Sequence, residues 1–232
     1  MWSKDLTWVE LRDYIEKKGG PLLLPIGSVE SHGAHLPINT DVLIAEYVAD
    51  EVAKRNSWIS LPPITYTIAV PVRPSNVYVP PNVFKEYLRA IMEHFISYGQ
   101  KYLVIVLGHG GPEIKSSIDE VCNKLTKEHH ISIKAFHIAK VINELGIADT
   151  SKDKHAGYWE TSIVLAINRG LVKNIELYKS KEDLRKYGVS GDPLRASADN
   201  GAKIVSKVIE YIEKEIKKPA HYGEYYRNWG DI

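Results

Sequence analysis

The feature that most constrains the fold is a continuous apolar run, Tyr102 to Leu107, which leads directly into the glycine-rich turn Gly108 to Gly111. The run is far too short to cross a bilayer, and it lacks the alternation of a half-exposed strand. It therefore predicts a strand that is buried on both faces of a parallel sheet. A second apolar run, Pro21 to Ile26, has the same form and ends at the densest polar segment of the chain. Because parallel strands need long crossovers, usually helices, the two runs predict an α/β fold.

Helical patterns separate these runs. Helix-start residues include Thr7 in a capping box, Thr40 or Asp41, Asn82, and Pro112 at a first helical position. The sequence predicts a mostly parallel central sheet with helices on both faces, in a single domain over residues 1–232. The aromatic tail, residues 219–232, is expected to dock on a protein surface, such as a neighbouring subunit. The predicted elements are helices over 7–19, 41–55, 82–98, 112–128, 139–145, 158–168 and 197–217, with further strands over 59–61 and 131–136.

Composition excludes several classes of function. The chain has 232 residues, of which 44% are hydrophobic, and this is enough for one sizeable core. Its 30 basic and 29 acidic residues nearly cancel, so no broad field recruits nucleic acid or an anionic membrane, and a small-molecule ligand is expected. The polar segment Met1 to Glu10 has no signal-peptide pattern, which predicts a cytoplasmic protein. Cys122 is the single cysteine, so no internal disulfide and no cysteine-rich zinc site is expected.

The polar segment after the first apolar run has the composition of a metal site. It places Glu30, His32, His35 and Asp41 within a dozen residues. Carboxylate and imidazole together suit zinc, manganese or iron. The structural alternative is a polar turn after a strand. We interpret His35 as a supporting or structural residue, with metal contact as the less favoured alternative.

Two later clusters also follow strands or precede helices: His109, and then Asp153, His155 and Glu160. The carboxyl ends of parallel strands lie at one edge of a sheet, so these clusters are expected to meet. Together they supply ligands for two cations, and a carboxylate such as Asp41 can bridge two metals about 3.5 to 4 Å apart. A weaker alternative for Gly108 to Gly111 is a phosphate-binding turn.

Four ordered motifs resemble the signatures of the creatininase family of metal-dependent amidohydrolases. The first is Leu24 to Pro37, closed by Thr40 and Asp41, and the second is Gly108 to Gly111. The third and fourth are Asp153 to Ser162 and Gly191 to Gly201. The resemblance spans nearly the whole chain.

This resemblance implies a three-layer α/β/α fold, a hexamer or other homo-oligomer, and two divalent metal ions (zinc, manganese or iron). It implies four metal ligands, with Asp41 as the bridge. Creatininase has a glutamate two residues after the histidine of the second motif, but Gly111 occupies that position here. We expect Glu160 to replace it, with Glu113 as the weaker candidate. The four ligands that the resemblance implies directly are Glu30, His32, Asp41 and His109.

The resemblance also implies a reaction. His155 matches a position linked to substrate binding and proton transfer, and Glu160 joins it as a predicted catalytic residue. We expect a metal-activated hydroxide to attack a cyclic amide or formamide of a small molecule, with His155 assisting release of the nitrogen. The alternatives are a catalytically silent member that binds a small metabolite, and a peptide-trimming relative.

Two departures leave the substrate open. The connection Pro71 to Pro81 lacks the Phe-Pro-Gly-Thr-like segment of many relatives, and Ser151 to Lys154 lacks a Trp-Asp pair that creatininase has. Creatinine is therefore not the expected substrate. Arg73 and Lys152 are candidate phosphate ligands, although a solvated surface charge is the favoured interpretation of both. We expect His94, His129, His130 and His137 to be structural or solvated, because their patterns show no carboxylate companions.

Overall fold

A five-stranded parallel sheet forms the centre of the molecule. The computed structural model describes residues 5–72 and 74–230. The strand order is β2-β1-β3-β4-β5, and every neighbouring pair is parallel. The strands are β1 (Leu22–Ile26), β2 (Ile59–Ser60), β3 (Tyr102–Leu107), β4 (Ser132–His137) and β5 (Tyr225–Arg227).

Within the described ranges, eight α-helices connect and cover these strands. A π-helical turn, Tyr14–Lys18, extends the first helix, and three short 3-10 turns lie between the sixth and the eighth. The helices are α1 (Trp8–Asp13), α2 (Thr40–Asn56), α3 (Pro81–Ser97), α4 (Pro112–His129), α5 (Ile138–Glu144), α6 (Tyr158–Ile167), α7 (Lys181–Lys186) and α8 (Ala198–Lys217).

The two faces of the sheet carry separate hydrophobic cores, which confirms the predicted three-layer α/β/α architecture. Along β3, Val104 and Val106 pack on one side against α2, α5, α6 and α8. Leu103 and Ile105 pack on the other side with α3 and α4. All six residues of β3 are buried, as expected for a central strand of a parallel sheet.

The helix boundaries correct two predicted caps. The first helix does begin at the Thr7 capping box. However, α2 begins after Asn39, and α3 begins at Pro81, before Asn82. Neither Thr40 nor Asp41 caps α2: the Thr40 hydroxyl donates to the carbonyl of Pro37 at 2.6 Å, and the Asp41 side chain bonds to other groups.

The aromatic tail docks on its own chain. Residues Tyr225–Arg227 form the edge strand β5 beside β4, with Ile133 opposite Tyr225. Trp229 is buried, and its indole N–H donates to Asp119 at 3.3 Å. The tail up to residue 230 therefore packs against β4 and α4 of its own chain, and contact with a neighbouring subunit stays a prediction. No helix within the described part of the chain has the length and apolarity that a membrane span requires.

The contact between α6 and α8 depends on Gly201. A Cβ atom at this position would lie 1.8 Å from the carbonyl oxygen of Ser162, so the two helix backbones touch there. This contact fixes α6, the helix that carries Glu160.

We predict that Gly201→Ala lowers the free energy of unfolding by about 1–3 kcal/mol, because the added methyl forces the helices apart. In a helix interior, replacing glycine by alanine normally raises the free energy of unfolding by about 0.5–1 kcal/mol. A decrease would therefore indicate the close contact between the helices. Urea unfolding measures the difference. Gly230→Ala is the control, since no described atom other than those of its chain neighbours lies within 4 Å of the added methyl. A Gly201→Ala variant as stable as the parent would contradict the backbone contact.

Candidate metal centre

The candidate centre lies at the carboxyl ends of β1 and β3, as the strand pattern predicts. In register, Ile26 at the end of β1 pairs with Leu107 at the end of β3. The segment after β1 carries Glu30 and His32, and the turn after β3 carries His109. A Cβ atom at Gly108 would lie 2.2 Å from the carbonyl oxygen of Asp41, so only glycine lets this turn approach the first turn of α2.

The carboxylate of Asp41 joins the two histidines. Its Oδ1 lies 3.0 Å from Nε2 of His32, and its Oδ2 lies 3.1 Å from Nδ1 of His109. Ser28 donates its hydroxyl proton to Oδ2 at 2.7 Å and fixes the rotation of the carboxylate. Asp41 therefore presents one oxygen to each side of the site.

Backbone carbonyls fix which nitrogen of each imidazole faces the site. Nδ1 of His32 donates to the carbonyl of Glu30 at 3.1 Å, so Nε2 is left toward Asp41. Nε2 of His109 donates to the carbonyl of Ile68 at 3.1 Å, so Nδ1 is left toward Asp41. Histidines that bind metals characteristically donate their other N–H to such a group.

Two sets of ligand atoms share Asp41. The first ligand set is Glu30, Asp41 and His109, and the second ligand set is His32, Asp41 and Glu160. Within each set, one ligand atom per residue lies within 4.8 Å of the others. Glu113 is exposed on the first turn of α4 and belongs to neither set. The structure thus brings together Glu160, rather than Glu113, with the four other predicted ligands.

The pKa values of the ionisable groups in this buried cluster are strongly shifted from their ordinary values. Burial opposes the charge on His32, but Asp41, Glu160 and Glu30 outweigh it and raise its pKa to about 9. Burial also opposes the charge on His109, yet Asp41 and Glu30 raise its pKa to about 10. Burial raises the pKa of the Glu160 carboxyl to about 8. Burial works in the same direction on Asp41, but His32 and His109 hold the pKa of Asp41 well below its ordinary value.

His155 lies beside both sets with a defined tautomer. Its Nε2 donates to the carbonyl of Ser31 at 2.7 Å, so Nδ1 carries the lone pair of the neutral ring. Nδ1 lies 4.0 Å from Oε1 of Glu30. Burial, followed by the charge of His32, lowers the pKa of His155. The next residue, Ala156, has a left-handed backbone (φ 52°), and its N–H donates to the Glu160 carboxylate. This turn holds His155 and Glu160 on one side of the site.

Two residues of the predicted clusters have structural roles. His35 is buried, and its ring nitrogens lie 2.8 Å from the hydroxyls of Tyr178 and Thr161, so it supports the loop as expected. Asp153 was expected near the metals, but its carboxylate accepts the backbone N–H groups of Tyr158 and Trp159 at 2.9 and 3.1 Å. It stabilises the positive end of α6 instead.

A cavity of about 440 Å³ opens onto both ligand sets and shows residues that the sequence analysis missed. Lys115 and Lys140, which carry no predicted role, line it together with His137, which the sequence predicts to be structural or solvated. His137 is the last residue of β4 and pairs with Leu107. Its position at the carboxyl end of a parallel strand is therefore the sequence signal that could have placed it near the site. The lysines have no local motif that marks them.

Lys152 and His129 lie on the surface of the protein and contact carboxylates there. Arg73 lies outside the described residues, and Lys152 is an exposed partner of Asp149 at 3.1 Å, as the solvated interpretation expects. The expectation that His129 lacks carboxylate companions is wrong, because its Nε2 lies 3.8 Å from Glu93 across the α3–α4 surface.

Comparisons with known proteins find related sequences and a shared fold. The family model described as creatininase, creatinine amidohydrolase, matches residues 4–216. A mycofactocin precursor peptide peptidase of Mycobacterium ulcerans (strain Agy99) is 27% identical over 220 residues, which cover 82% of this chain and 81% of the relative. A 2-amino-5-formylamino-6-ribosylaminopyrimidin-4(3H)-one 5'-monophosphate deformylase of Methanothermobacter marburgensis is 24% identical over 215 residues, covering 84% and 89%.

Solved structures share the fold. A mutant creatininase described as Zn-Zn type has a TM-score of 0.79 and 20% sequence identity, and the match covers 94% of this chain and 97% of that chain. A creatininase described as Mn gives the same values. At this identity the likeness concerns the fold.

We predict that zinc added at pH 7 to protein stripped of metal releases about two to three protons per chain. The pKa values of His32, His109 and Glu160 lie above 7 without metal, and each of these groups must lose its proton to become a ligand. Apparent zinc affinity should therefore fall as pH is lowered. A pH-stat titration in weakly buffered solution counts the protons.

His129→Gln is the matched control for this titration, because it alters a surface group of possible ligands, Glu93, Glu128 and His129. Its proton release should equal that of the parent. Zinc binding without proton release, or release that disappears in His129→Gln, would contradict the assignment to the buried cluster.

Proposed function

Because the chain belongs to the creatininase family, we propose that it is a binuclear metal-dependent amidohydrolase that cleaves a C–N bond of a small molecule. The observation that carries the proposal is the Asp41 carboxylate, whose two oxygens each meet a different histidine. Glu30 and Glu160 complete the two sets around it. The zinc and manganese in the descriptions of related creatininase structures support a divalent cofactor here.

The residues present fit two divalent cations. The first ligand set would hold one cation and the second set the other, with Asp41 shared between them. Each set combines carboxylate with imidazole, the donor types that zinc and manganese accept. Bound cations of this kind lower the pKa of water and polarise a carbonyl oxygen.

His155 is the proposed acid and base of the reaction. Its Nδ1 lone pair faces the ligand sets, because Nε2–H is held by Ser31. A neutral imidazole in this orientation accepts the proton of the attacking water and returns it to the leaving nitrogen. Glu160 acts as a ligand whose orientation is fixed by the N–H of Ala156.

The cavity favours a small substrate. A volume of about 440 Å³ lies within the range of small-molecule sites. We propose a formamide or cyclic amide, and the deformylase relative supports the former. A second candidate reaction is cleavage of a peptide, which the similarity to a precursor peptide peptidase favours. A homo-oligomer, a hexamer by resemblance, stays a prediction.

We predict that Glu160→Gln lowers the zinc content of the purified protein from about two ions per chain to about one, because the neutral amide weakens the second ligand set. Mass spectrometry of the metal content measures the stoichiometry. Glu113→Gln is the matched control, since it makes the same change at an exposed residue of α4 and should keep about two zinc ions. Loss of zinc in Glu113→Gln but not in Glu160→Gln would reject the second ligand set.

Hydrolysis assays test the proposed activity itself. Zinc-, manganese- or iron-loaded protein should hydrolyse at least one substrate among formamidopyrimidines, creatinine and short peptides, and a chelator should abolish the activity reversibly. His155→Gln should keep its metals but lose about 100- to 10,000-fold in kcat, whereas the exposed-residue control His94→Gln should not change. Activity that is indifferent to chelator, or metal-loaded protein inactive on every substrate, would contradict the proposal.

A further inference from the structure

The cavity over the ligand sets has a second wall that is basic. Lys115 projects from α4, Lys140 from α5, and Lys154 from the loop before His155, and all three line the cavity. The carboxylates that line the same cavity are the proposed ligands Glu30, Asp41 and Glu160. Acidic groups therefore lie at the proposed metal positions, and the remaining charged groups of the cavity are cationic.

Among the described residues, these lysines have no carboxylate partner at short range. Within residues 5–72 and 74–230, no ion pair of 4 Å or less involves Lys115, Lys140 or Lys154. Other lysines of the protein do pair: Lys85, on the neighbouring helix α3, lies 2.6 Å from Glu120. The cavity lysines thus keep their donor capacity for another group.

The acidic residues that lie one helical turn after Lys115 and Lys140 contact other side chains. Asp119 follows Lys115 on α4, but its carboxylate accepts the Tyr225 hydroxyl at 2.8 Å and pairs with Arg227 at 3.0 Å. Glu144 follows Lys140 on α5, but it accepts the Tyr211 hydroxyl at 2.9 Å. The C-terminal tail therefore engages both oxygens of the Asp119 carboxylate.

The two helix lysines also repel each other. Burial lowers the pKa of Lys115, Asp119 opposes this, and the charge of Lys140 lowers the pKa further. Two half-buried ammonium groups on one wall are unfavourable unless an anion lies between them. A bound anion would relieve this repulsion and accept hydrogen bonds from both.

His137 adds a donor to this wall. Its side chain is buried, with 8% of the residue exposed, and it lines the cavity. Its backbone N–H donates to Asn228 at 2.7 Å and its carbonyl accepts from Asn228 at 3.3 Å. Burial, and then the charges of Lys115 and His109, lower its pKa to about 3, so the ring is neutral and retains one N–H donor.

We propose that Lys115, Lys140 and His137 form an anion-binding subsite, and that the substrate of the metal centre carries a carboxylate or phosphate group which this subsite holds. Lys154 contributes from the rim. The inference rests on the proposed function, in which the amide of the same substrate is hydrolysed at the metal centre. Binding of the anionic group does not itself require hydrolysis. An anionic group at this wall would place the amide of the same molecule over the two ligand sets, because both line one cavity.

Calorimetric titration of the zinc-loaded protein with methyl phosphate, inorganic phosphate and acetate tests the subsite. We expect Lys115→Met/Lys140→Met to weaken binding of the preferred probe about tenfold or more, because charge-assisted hydrogen bonds are lost. Lys115→Arg/Lys140→Arg should stay within about threefold of the parent, since it keeps both charges. Stronger binding of methyl phosphate would identify a phosphate substrate, and stronger binding of acetate a carboxylate substrate.

The matched control is Lys124→Met/Lys127→Met, which removes the same charge from exposed positions of α4. It should bind the probes within about twofold of the parent. Three results would overturn the proposal: an equal loss of probe binding in both double variants, unchanged binding in Lys115→Met/Lys140→Met, or no binding of any probe by the parent. If the double variant does not fold, Lys140→Met alone should weaken binding about threefold or more, and unchanged binding would again overturn it.

Metal content separates failure of the subsite from failure of the proposed function. Two zinc ions per chain with probe binding that ignores the lysine substitutions would reject the subsite alone. If the protein retains no zinc, but Lys115→Met/Lys140→Met still weakens binding of methyl phosphate or acetate, the binuclear centre would be rejected and the subsite supported.

Discussion

The buried carboxylate of Asp41 is the group on which the rest of the site depends. An unpaired carboxylate in this position would be strongly destabilising, so the fold must bring His32, His109 and Ser28 to it. They arrive because β1 and β3 are adjacent and in register, and because Gly108 lets the turn after β3 touch the start of α2. The stability of the fold and the chemistry of the site therefore use the same contacts.

Much of this arrangement could be predicted from the sequence, because the signals are local. Tyr102–Leu107 is apolar throughout and forms the central strand at the predicted bounds. Glu30, His32, Asp41 and His109 follow strands, so the rule that parallel strand ends share one edge places them together. The choice of Glu160 over Glu113 used the resemblance, and the structure brings Glu160 to the other candidates while Glu113 is exposed.

The rest could not be predicted, because it depends on contacts between distant segments. Asp153 stands in a dense polar motif, yet backbone N–H groups of α6 take its carboxylate. The tail strand Tyr225–Arg227 pairs with β4 although its pattern carries no clear strand signal. Lys115 and Lys140 become neighbours of the site only when α4 and α5 pack beside it, and Arg227 of the tail pairs with Asp119 only when the tail docks.

The central claim is that Asp41 divides one buried cluster into two metal positions. Anomalous X-ray diffraction from crystals of the zinc-loaded protein tests it most directly. We expect two zinc peaks, one on each side of the Asp41 carboxylate. The first should be bonded to Glu30 and His109, and the second to His32 and Glu160. A single peak at this carboxylate, or zinc confined to the surface group of Glu93, Glu128 and His129, would contradict it.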